Sequence, residues 1–198
     1  MRKYTSTIKT RGFLYLEAKK ASALYLQGFS AEEIKKKALE ENIFLMKTEN
    51  RRKEIAVTVL DRISVLDDFL LKKLVDGNLE TGKQIVLYSI LKTDRLFFEF
   101  MQEVYREKFY LRDYIIADRD FSAFFLQKTE QCEQLASLTD YTFYKLSQVY
   151  KKILMEAGLA SKNKKILQIN RPIMEQDVTQ HIINTGGQVF LETMLKEV

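Results

Sequence analysis

Apolar residues recur every three or four positions along most of this 198-residue chain, and that spacing predicts α-helices. Helices are predicted over 13–27, 31–41, 48–75, 118–136, 139–157, 172–184 and from Gly187 to 196. Seven glycines and one proline leave little room for tight turns between strands. Strands are therefore expected only within 159–170, with the N-terminal arm as an alternative. The predicted fold class is all-α, a compact multi-helix fold with helix-turn-helix elements and a small C-terminal β-hairpin wing.

The clearest pattern lies between Leu138 and Pro172. Thr139 suits a helix N-cap, because its hydroxyl accepts a hydrogen bond from a free amide of the first turn. An apolar stripe follows on one helix face, and Gly158 ends the helix. The stripe consists of Phe143, Leu146, Tyr150, Ile153 and Ala157. A lysine-rich hairpin comes next, so 117–198 is predicted to form a winged-helix-like subdomain, after an N-terminal helical subdomain at 1–116.

Positive charge is concentrated in two segments. Residues 139–171 hold seven basic and two acidic side chains, a net charge of +5 that equals the formal net charge of the whole chain. Residues 1–20 hold six basic side chains and one acidic side chain. Two basic poles on an acidic body favour a nucleic-acid ligand. The alternatives are a solvated surface helix and a frayed N-terminus.

A recognition helix meets the major groove mainly through its N-terminal half, while other basic residues contact phosphates. The predicted groove residues are Tyr141, Tyr144, Lys145 and Gln148. The predicted phosphate contacts are Lys151, Lys152, Lys162, Lys164 and Lys165. A second helix-turn-helix candidate runs from Gly28 to Lys53, opens with a Ser30–Glu33 capping box, and adds Arg51, Arg52 and Lys53 as candidate DNA contacts.

No catalytic or cofactor-binding motif stands out. Gly77–Lys83 matches the first seven positions of a phosphate-binding P-loop, but Gln84 replaces the metal-binding hydroxyl and a helix precedes it, so a turn between helices is predicted. His181 is the single histidine and Cys132 the single cysteine, which disfavours a zinc site or a nucleophile–histidine pair. The sequence predicts a non-enzymatic cytoplasmic protein with no cofactor, metal or membrane span.

Several short segments, spread over nearly the whole chain, resemble the BrxA family of bacterial BREX phage-defence systems. They are Gly28–Glu33, Glu40–Ile43, Val59–Arg62, Leu138–Thr139, Lys145–Leu146 and Ile153–Leu159. The resemblance implies a small helical DNA-binding component, encoded beside a methyltransferase, an alkaline-phosphatase-like protein and a large ATPase. It implies no catalytic residues. Two alternatives stay open: an assembly scaffold for other defence proteins, and an RNA-binding protein similar to the antitermination factor NusB. The oligomeric state is left open.

Overall fold

The computed structural model describes residues 3–164 and 166–194, and helices hold 69% of them. The predicted all-α class with a small β-hairpin is confirmed. The first five helices are α1 (Tyr15–Leu26), α2 (Ala31–Glu40), α3 (Glu49–Ile63), α4 (Asp68–Asp76) and α5 (Leu79–Thr93). Helix α5 runs through the centre of the molecule, and every residue from Gln84 to Leu91 is buried.

The predicted long helix from Thr48 to about residue 75 is wrong. It is two helices, α3 and α4, separated by a turn in which the Leu66 amide donates to the Ile63 carbonyl. The Asp67 side chain then accepts from the Leu70 amide at 3.0 Å and opens α4. The apolar stripe continues through both helices, so its period does not reveal the break.

The second half of the chain contains the remaining helices and a sheet. The helical elements are α6 (Arg95–Phe100), a π-helical segment (Met101–Arg106), α7 (Glu107–Tyr110), α8 (Asp118–Gln131), α9 (Glu133–Ala136), α10 (Asp140–Glu156), α11 (Gln176–Asn184) and α12 (Gln188–Met194). The strands are β1 (Ile115–Ile116), β2 (Ala160–Asn163) and β3 (Ile166–Ile169). Strand β3 lies in the middle of the sheet and pairs antiparallel with both others.

Three further details correct the sequence predictions. Strand β1 lies outside 159–170, and the N-terminal arm forms a 3-10 turn at Thr7–Thr10 instead of a strand. Pro172 does not open a helix, because α11 begins four residues later at Gln176. Lys73 and Asn78 hold the Glu175 side chain, which keeps the segment before α11 extended. The predicted helix end at 196 lies outside the described residues.

Aromatic rings join α6, α8 and α10 into one core. Phe100 stacks on Phe121 with a centroid distance of 4.9 Å, and Tyr150 of α10 meets Phe97 edge-on at 4.8 Å. Edge-to-face and offset-stacked pairs are the favourable arrangements for such rings. Tyr150 is completely buried. The core therefore fixes which face of α10 points inward.

Contacts also cross the predicted boundary between residues 116 and 117. The Gln84 amide donates to the Ala157 carbonyl at 2.6 Å, and the Tyr105 hydroxyl donates to the Asn170 carbonyl at 2.8 Å. The first contact joins the central helix α5 to the C-terminal end of α10. The division into two subdomains stays a prediction.

Candidate nucleic-acid interface

Helix α10 begins and ends where the sequence predicts. The Thr139 hydroxyl accepts from the Thr142 amide, and Gly158 adopts a left-handed conformation with φ of 77° after the last turn. Leu146, Tyr150 and Ile153 are fully buried. Because one face of this 17-residue helix is packed into the core, the orientation of its opposite, solvent-facing side is fixed.

The outward face of α10 carries the four predicted groove residues. Tyr141 and Tyr144 are 67% and 57% exposed, with ring centroids 6.5 Å apart. The Lys145 ammonium lies 5.3 Å from the centroid of the Tyr141 ring, within range of a cation–π contact. Gln148 is exposed one turn further along. These side chains are thus presented together, with two large aromatic faces open to a ligand.

A basic groove of about 710 Å³ lies on one side of α10. Four basic and two acidic side chains line it: Lys9, Arg51, Lys83 and Lys152, with Glu17 and Glu156. The N-terminal 3-10 turn packs along α10 and so brings the two basic poles of the sequence together. Lys152 is 63% exposed, and its ammonium is 3.7 Å from Glu156, a long separation for an exposed ion pair. It remains free to reach a phosphate.

The three basic residues at the start of α3 differ in their surroundings. Arg51 donates to the Thr10 carbonyl and to Glu54, which places its guanidinium at the basic groove. Arg52 donates to the Leu39 carbonyl at 3.0 Å and so ties α3 to α2. Lys53 is exposed and has no hydrogen bond or ion pair with any described residue. The three side chains do not form one cluster.

Lys151 and Lys152 are adjacent in sequence but differ in their contacts. The Lys151 ammonium is 2.5 Å from the Asp118 carboxylate and lies over the Phe121 ring. Its side chain is 19% exposed, against 63% for Lys152. Lys151 would have to leave Asp118 to reach a phosphate, whereas Lys152 would not. Helical periodicity places Lys152 on the outward face of α10 and Lys151 at the edge of that face, but it does not reveal the ion pair between Lys151 and Asp118.

The β2–β3 hairpin projects lysines into solvent. Lys162 and Lys164 are exposed, and Lys164 occupies the left-handed region with φ of 53°. Lys165 lies outside the described residues. Hydrogen bonds along both sides of β3 hold the hairpin, because Leu167 pairs with Lys162 of β2 and with Ile116 of β1. Lys162 is thus presented on an ordered ladder, and Lys164 lies in the turn that follows β2.

An acidic groove of about 680 Å³ lies on the other side of α10, against α8. Its floor is apolar, and three carboxylates lie at its rim. The apolar residues are Phe125, Leu126, Leu138, Phe143 and Tyr144, and the carboxylates are Asp118, Glu130 and Asp140. Gln148 and Lys151 also line it. The outward stripe of α10 therefore separates a basic groove from an acidic one.

The segment that resembles a P-loop begins with the predicted turn, since Gly77 and Asn78 lie between α4 and α5, and its remaining residues form the start of α5. Asn78 caps α5 by accepting from the Thr81 amide at 2.8 Å, and the Gly82 amide donates to the Asn78 carbonyl at 3.0 Å. The Thr81 and Gly82 amides are therefore occupied by Asn78 and are not available to a phosphate. His181 contacts Asp67 at 2.7 Å and stacks on Phe69. Within 3–164 and 166–194, no group of three or more His, Cys, Asp or Glu side chains is arranged to hold a metal.

Sequence periodicity missed two of the residues that line the basic groove. Lys9 belongs to the N-terminal arm, for which the sequence predicts no helix, and Lys83 lies in the segment that only resembles a P-loop. Both join Lys152 only through contacts between segments distant in sequence. The net charge of the first twenty residues is the one sequence signal for Lys9.

These features define a class: a helical protein with a small three-stranded sheet and a basic groove beside an exposed aromatic helix face. Residues 2–186 match the BrxA family model. A relative from Bacillus cereus (strain H3081.97), named BREX protein BrxA, is 50% identical over 194 residues, covering 98% of this chain and 97% of that protein. The chain belongs to the BrxA family.

Solved structures share the fold, and one of them is the crystal structure of an uncharacterized protein from Magnetospirillum magneticum, with a TM-score of 0.85. The match covers 99% of this chain and 100% of that one, at 19% sequence identity. None of the helices in the described part of this chain combines the length and apolar character that a membrane span needs.

Proposed function

We propose that this chain is a non-catalytic, DNA-binding component of a BREX anti-phage defence system. The BREX role follows from membership of the BrxA family. In this proposal α10 approaches the major groove of a duplex through Tyr141, Tyr144, Lys145 and Gln148. Lys9 and Lys152, together with Lys162 and Lys164 of the hairpin, neutralise phosphates. Arg51 and Lys83 join them by exchanging their ion pairs with Glu54 and Glu80 for a phosphate.

The observation that carries the proposal is the convergence of basic residues beside the outward stripe of α10. Lys9, Arg51 and Lys152 come from three separate segments and meet at one groove. Lys145 and Gln148 lie on the adjoining face. A phosphate backbone that passes α10 on this side meets mostly cations, whereas on the other side it meets Asp118, Glu130 and Asp140. We therefore assign the DNA to the arm side of α10.

The order of elements supports a winged helix-turn-helix interpretation. Strand β1 precedes α8, the short α9 and α10, and the β2–β3 hairpin follows, with β3 between the other strands. In winged helix-turn-helix domains the helix before the hairpin enters the major groove and the hairpin contacts the adjoining backbone. Here α10 and the hairpin with Lys162 and Lys164 hold those positions.

The side chains available determine the mode of binding. Gln148 can pair with an adenine edge and Lys145 can donate to a guanine, while the remaining basic residues contact phosphates without choosing a sequence. Phosphate contacts release condensed counterions, so affinity depends steeply on salt. With four to six contacts, the slope of log K against log salt is expected to be about −4 to −5.

The test is a fluorescence anisotropy titration of the full chain with a labelled DNA duplex across a range of salt concentrations. The proposal expects binding with that slope and weak dependence on sequence. Unlabelled single-stranded RNA serves as a competitor, because the Tyr141–Tyr144 pair can also stack unpaired bases. Binding that hardly changes with salt, or preferential displacement by RNA, contradicts duplex recognition through phosphates.

A further inference from the structure

Most of the acidic groove between α8 and α10 lies outside the proposed DNA contact, and only Tyr144 and Gln148 of the outward stripe border both. Its floor contains Phe125 and Phe143, which pack on each other with centroids 5.1 Å apart. Leu126 lies on the same surface and is 63% exposed. A volume of about 680 Å³ falls in the range of specific binding sites in proteins. Large exposed apolar side chains next to such a groove mark an interaction surface.

The rim of this groove carries an excess of negative charge. Asp118 is neutralised by Lys151, but Glu130 and Asp140 form no ion pair or hydrogen bond with any other described side chain. Arg119 follows Asp118 in sequence, yet it is exposed and its charge acts on Asp113, away from the groove. The acidic rim repels phosphates, so a nucleic acid is disfavoured as the occupant.

We infer that the acidic groove docks an amphipathic helix of a partner protein, with apolar side chains against the floor and Lys or Arg along its flanks. The cations of such a helix complement Glu130 and Asp140, and its large apolar residues cover Leu126 and Phe143. Helices bind in apolar grooves through side chains spaced by three and four residues. This inference goes beyond DNA binding and does not depend on it.

The walls of the groove favour a helix over an extended peptide. Every lining residue lies in α8, α9, α10 or the turn between the last two. No backbone edge of a strand is offered there, so an extended peptide would leave its amides and carbonyls unpaired in the groove. A helix satisfies its own backbone hydrogen bonds and brings only side chains to the contact.

The experiment uses two synthetic fluorescent peptides of about four helical turns. Both carry leucine on one face; one has lysine on its flanks and the other has glutamate. The full chain is titrated into each, and binding is followed by anisotropy. The lysine peptide is expected to bind at least about tenfold more tightly, because its charges oppose those of the rim. Equal affinity for the two peptides, or no binding of the lysine peptide, would overturn the inference.

Variants locate the binding to the groove. Leu126→Asp and Glu130→Lys are each expected to lower the affinity for the lysine peptide by about tenfold. The first removes a central apolar anchor, and the second removes a charge that faces the peptide. Leu111→Asp and Glu107→Lys are matched exposed controls outside the groove and should bind as the parent does. Equal weakening by the controls would contradict the inference.

A parallel titration with the DNA duplex separates this inference from the proposed function. Leu126→Asp should leave DNA affinity unchanged, because Leu126 lies on the acidic side of α10. If Leu126→Asp weakens duplex binding as much as it weakens peptide binding, the groove belongs to the DNA site and the docking inference fails.

Discussion

The Tyr4 hydroxyl donates to the Glu99 carboxylate at 2.9 Å, although the two residues are 95 positions apart. The Arg95 guanidinium lies 4.1 Å from the centroid of the Tyr4 ring, and Gln134 donates to the Tyr4 carbonyl at 3.0 Å. Lys128, only 6% exposed, bridges Glu99 and Glu103 beneath this contact. Together these contacts fix the start of the N-terminal arm on α6 and α9, and the 3-10 turn that follows packs against α10. In the proposed mode of binding, the arm forms one wall of the DNA site.

Replacement of Tyr4 by Ala should release the arm and weaken DNA binding. The change removes a hydrogen bond to a charged group, a contact typically worth about 1.5–3 kcal/mol. We expect hydrogen–deuterium exchange measurements to show faster amide exchange at Ile8 and Arg11. We also expect DNA affinity to fall roughly threefold, because Lys9 leaves the basic groove. Tyr25→Ala, at an exposed position of α1, is the control. Unaltered exchange at Ile8 in Tyr4→Ala would show that Tyr4 does not anchor the arm.

Neutralising Lys151 and Lys152 one at a time should give different results. Lys152→Met removes an exposed cation from the basic groove, and we expect DNA affinity to fall about threefold to tenfold. Lys151→Met removes a cation already paired with Asp118, so DNA affinity should be nearly unchanged. Anisotropy titrations of both variants at the same salt concentration measure the difference. Equal losses would mean that Lys151 leaves Asp118 to contact DNA.

The hairpin should contribute phosphate contacts without sequence preference. Lys162→Gln with Lys164→Gln removes two exposed cations, one from strand β2 and one from the turn that follows it. We expect the salt slope to become shallower by nearly 2, from roughly −0.9 per phosphate neutralised. The ratio of affinities for two unrelated duplexes should stay the same, because phosphate contacts carry no sequence information. An unchanged slope would exclude the hairpin from the site.

A buried carboxylate predicts a pH-dependent contribution to stability. Burial raises the pKa of Asp94 to about 6, although its side chain caps α6 and Arg62 lies nearby. Burial likewise lowers the pKa of Arg62 to about 10. Because the folded state holds the Asp94 proton more tightly than the unfolded chain does, this contribution is complete below about pH 4 and is lost as the pH rises through about 6.

The replacement Asp94→Asn isolates this effect, because asparagine can also cap a helix. The stability of the variant relative to the parent should rise between pH 4 and 7 by at most about 3 kcal/mol, at 1.36 kcal/mol per pKa unit. Urea unfolding at several pH values measures the difference. A stability difference that is constant across this range would show that Asp94 keeps an ordinary pKa.

Local sequence patterns predicted the parts of the fold that local interactions determine. The Ser30–Glu33 capping box and the Thr139 cap depend on residues close together in the chain, and both were confirmed. The buried stripe of α10 was confirmed except at Phe143, which is half-buried and lines the acidic groove. The break at Asp67 was missed because the apolar period continues across it. Strand β1 was missed because two residues become a strand only by pairing with β3.

The candidate site was predicted in part for the same reason. The outward stripe of α10 follows from helical geometry, so Tyr141, Tyr144 and Gln148 lie on one face as expected. The separation of Lys151 from Lys152 depends on Asp118, which is 33 positions away from Lys151. Lys9 reaches the groove because the 3-10 turn of the arm packs against α10. Contacts of this kind leave no periodic signal.

The most direct test of the DNA-binding proposal reverses two charges on the outward face of α10. The variant Lys145→Glu with Lys152→Glu is compared with Lys36→Glu with Lys72→Glu, which makes the same change of net charge at two exposed positions on α2 and α4. Each variant is titrated against the labelled duplex at a fixed salt concentration, and the melting temperature of each variant is measured. The proposal predicts unchanged melting temperatures and a DNA affinity at least about tenfold lower for the α10 variant alone, equivalent to about 1.4 kcal/mol. If the α10 variant binds DNA as tightly as the control variant, α10 is not the DNA-binding helix.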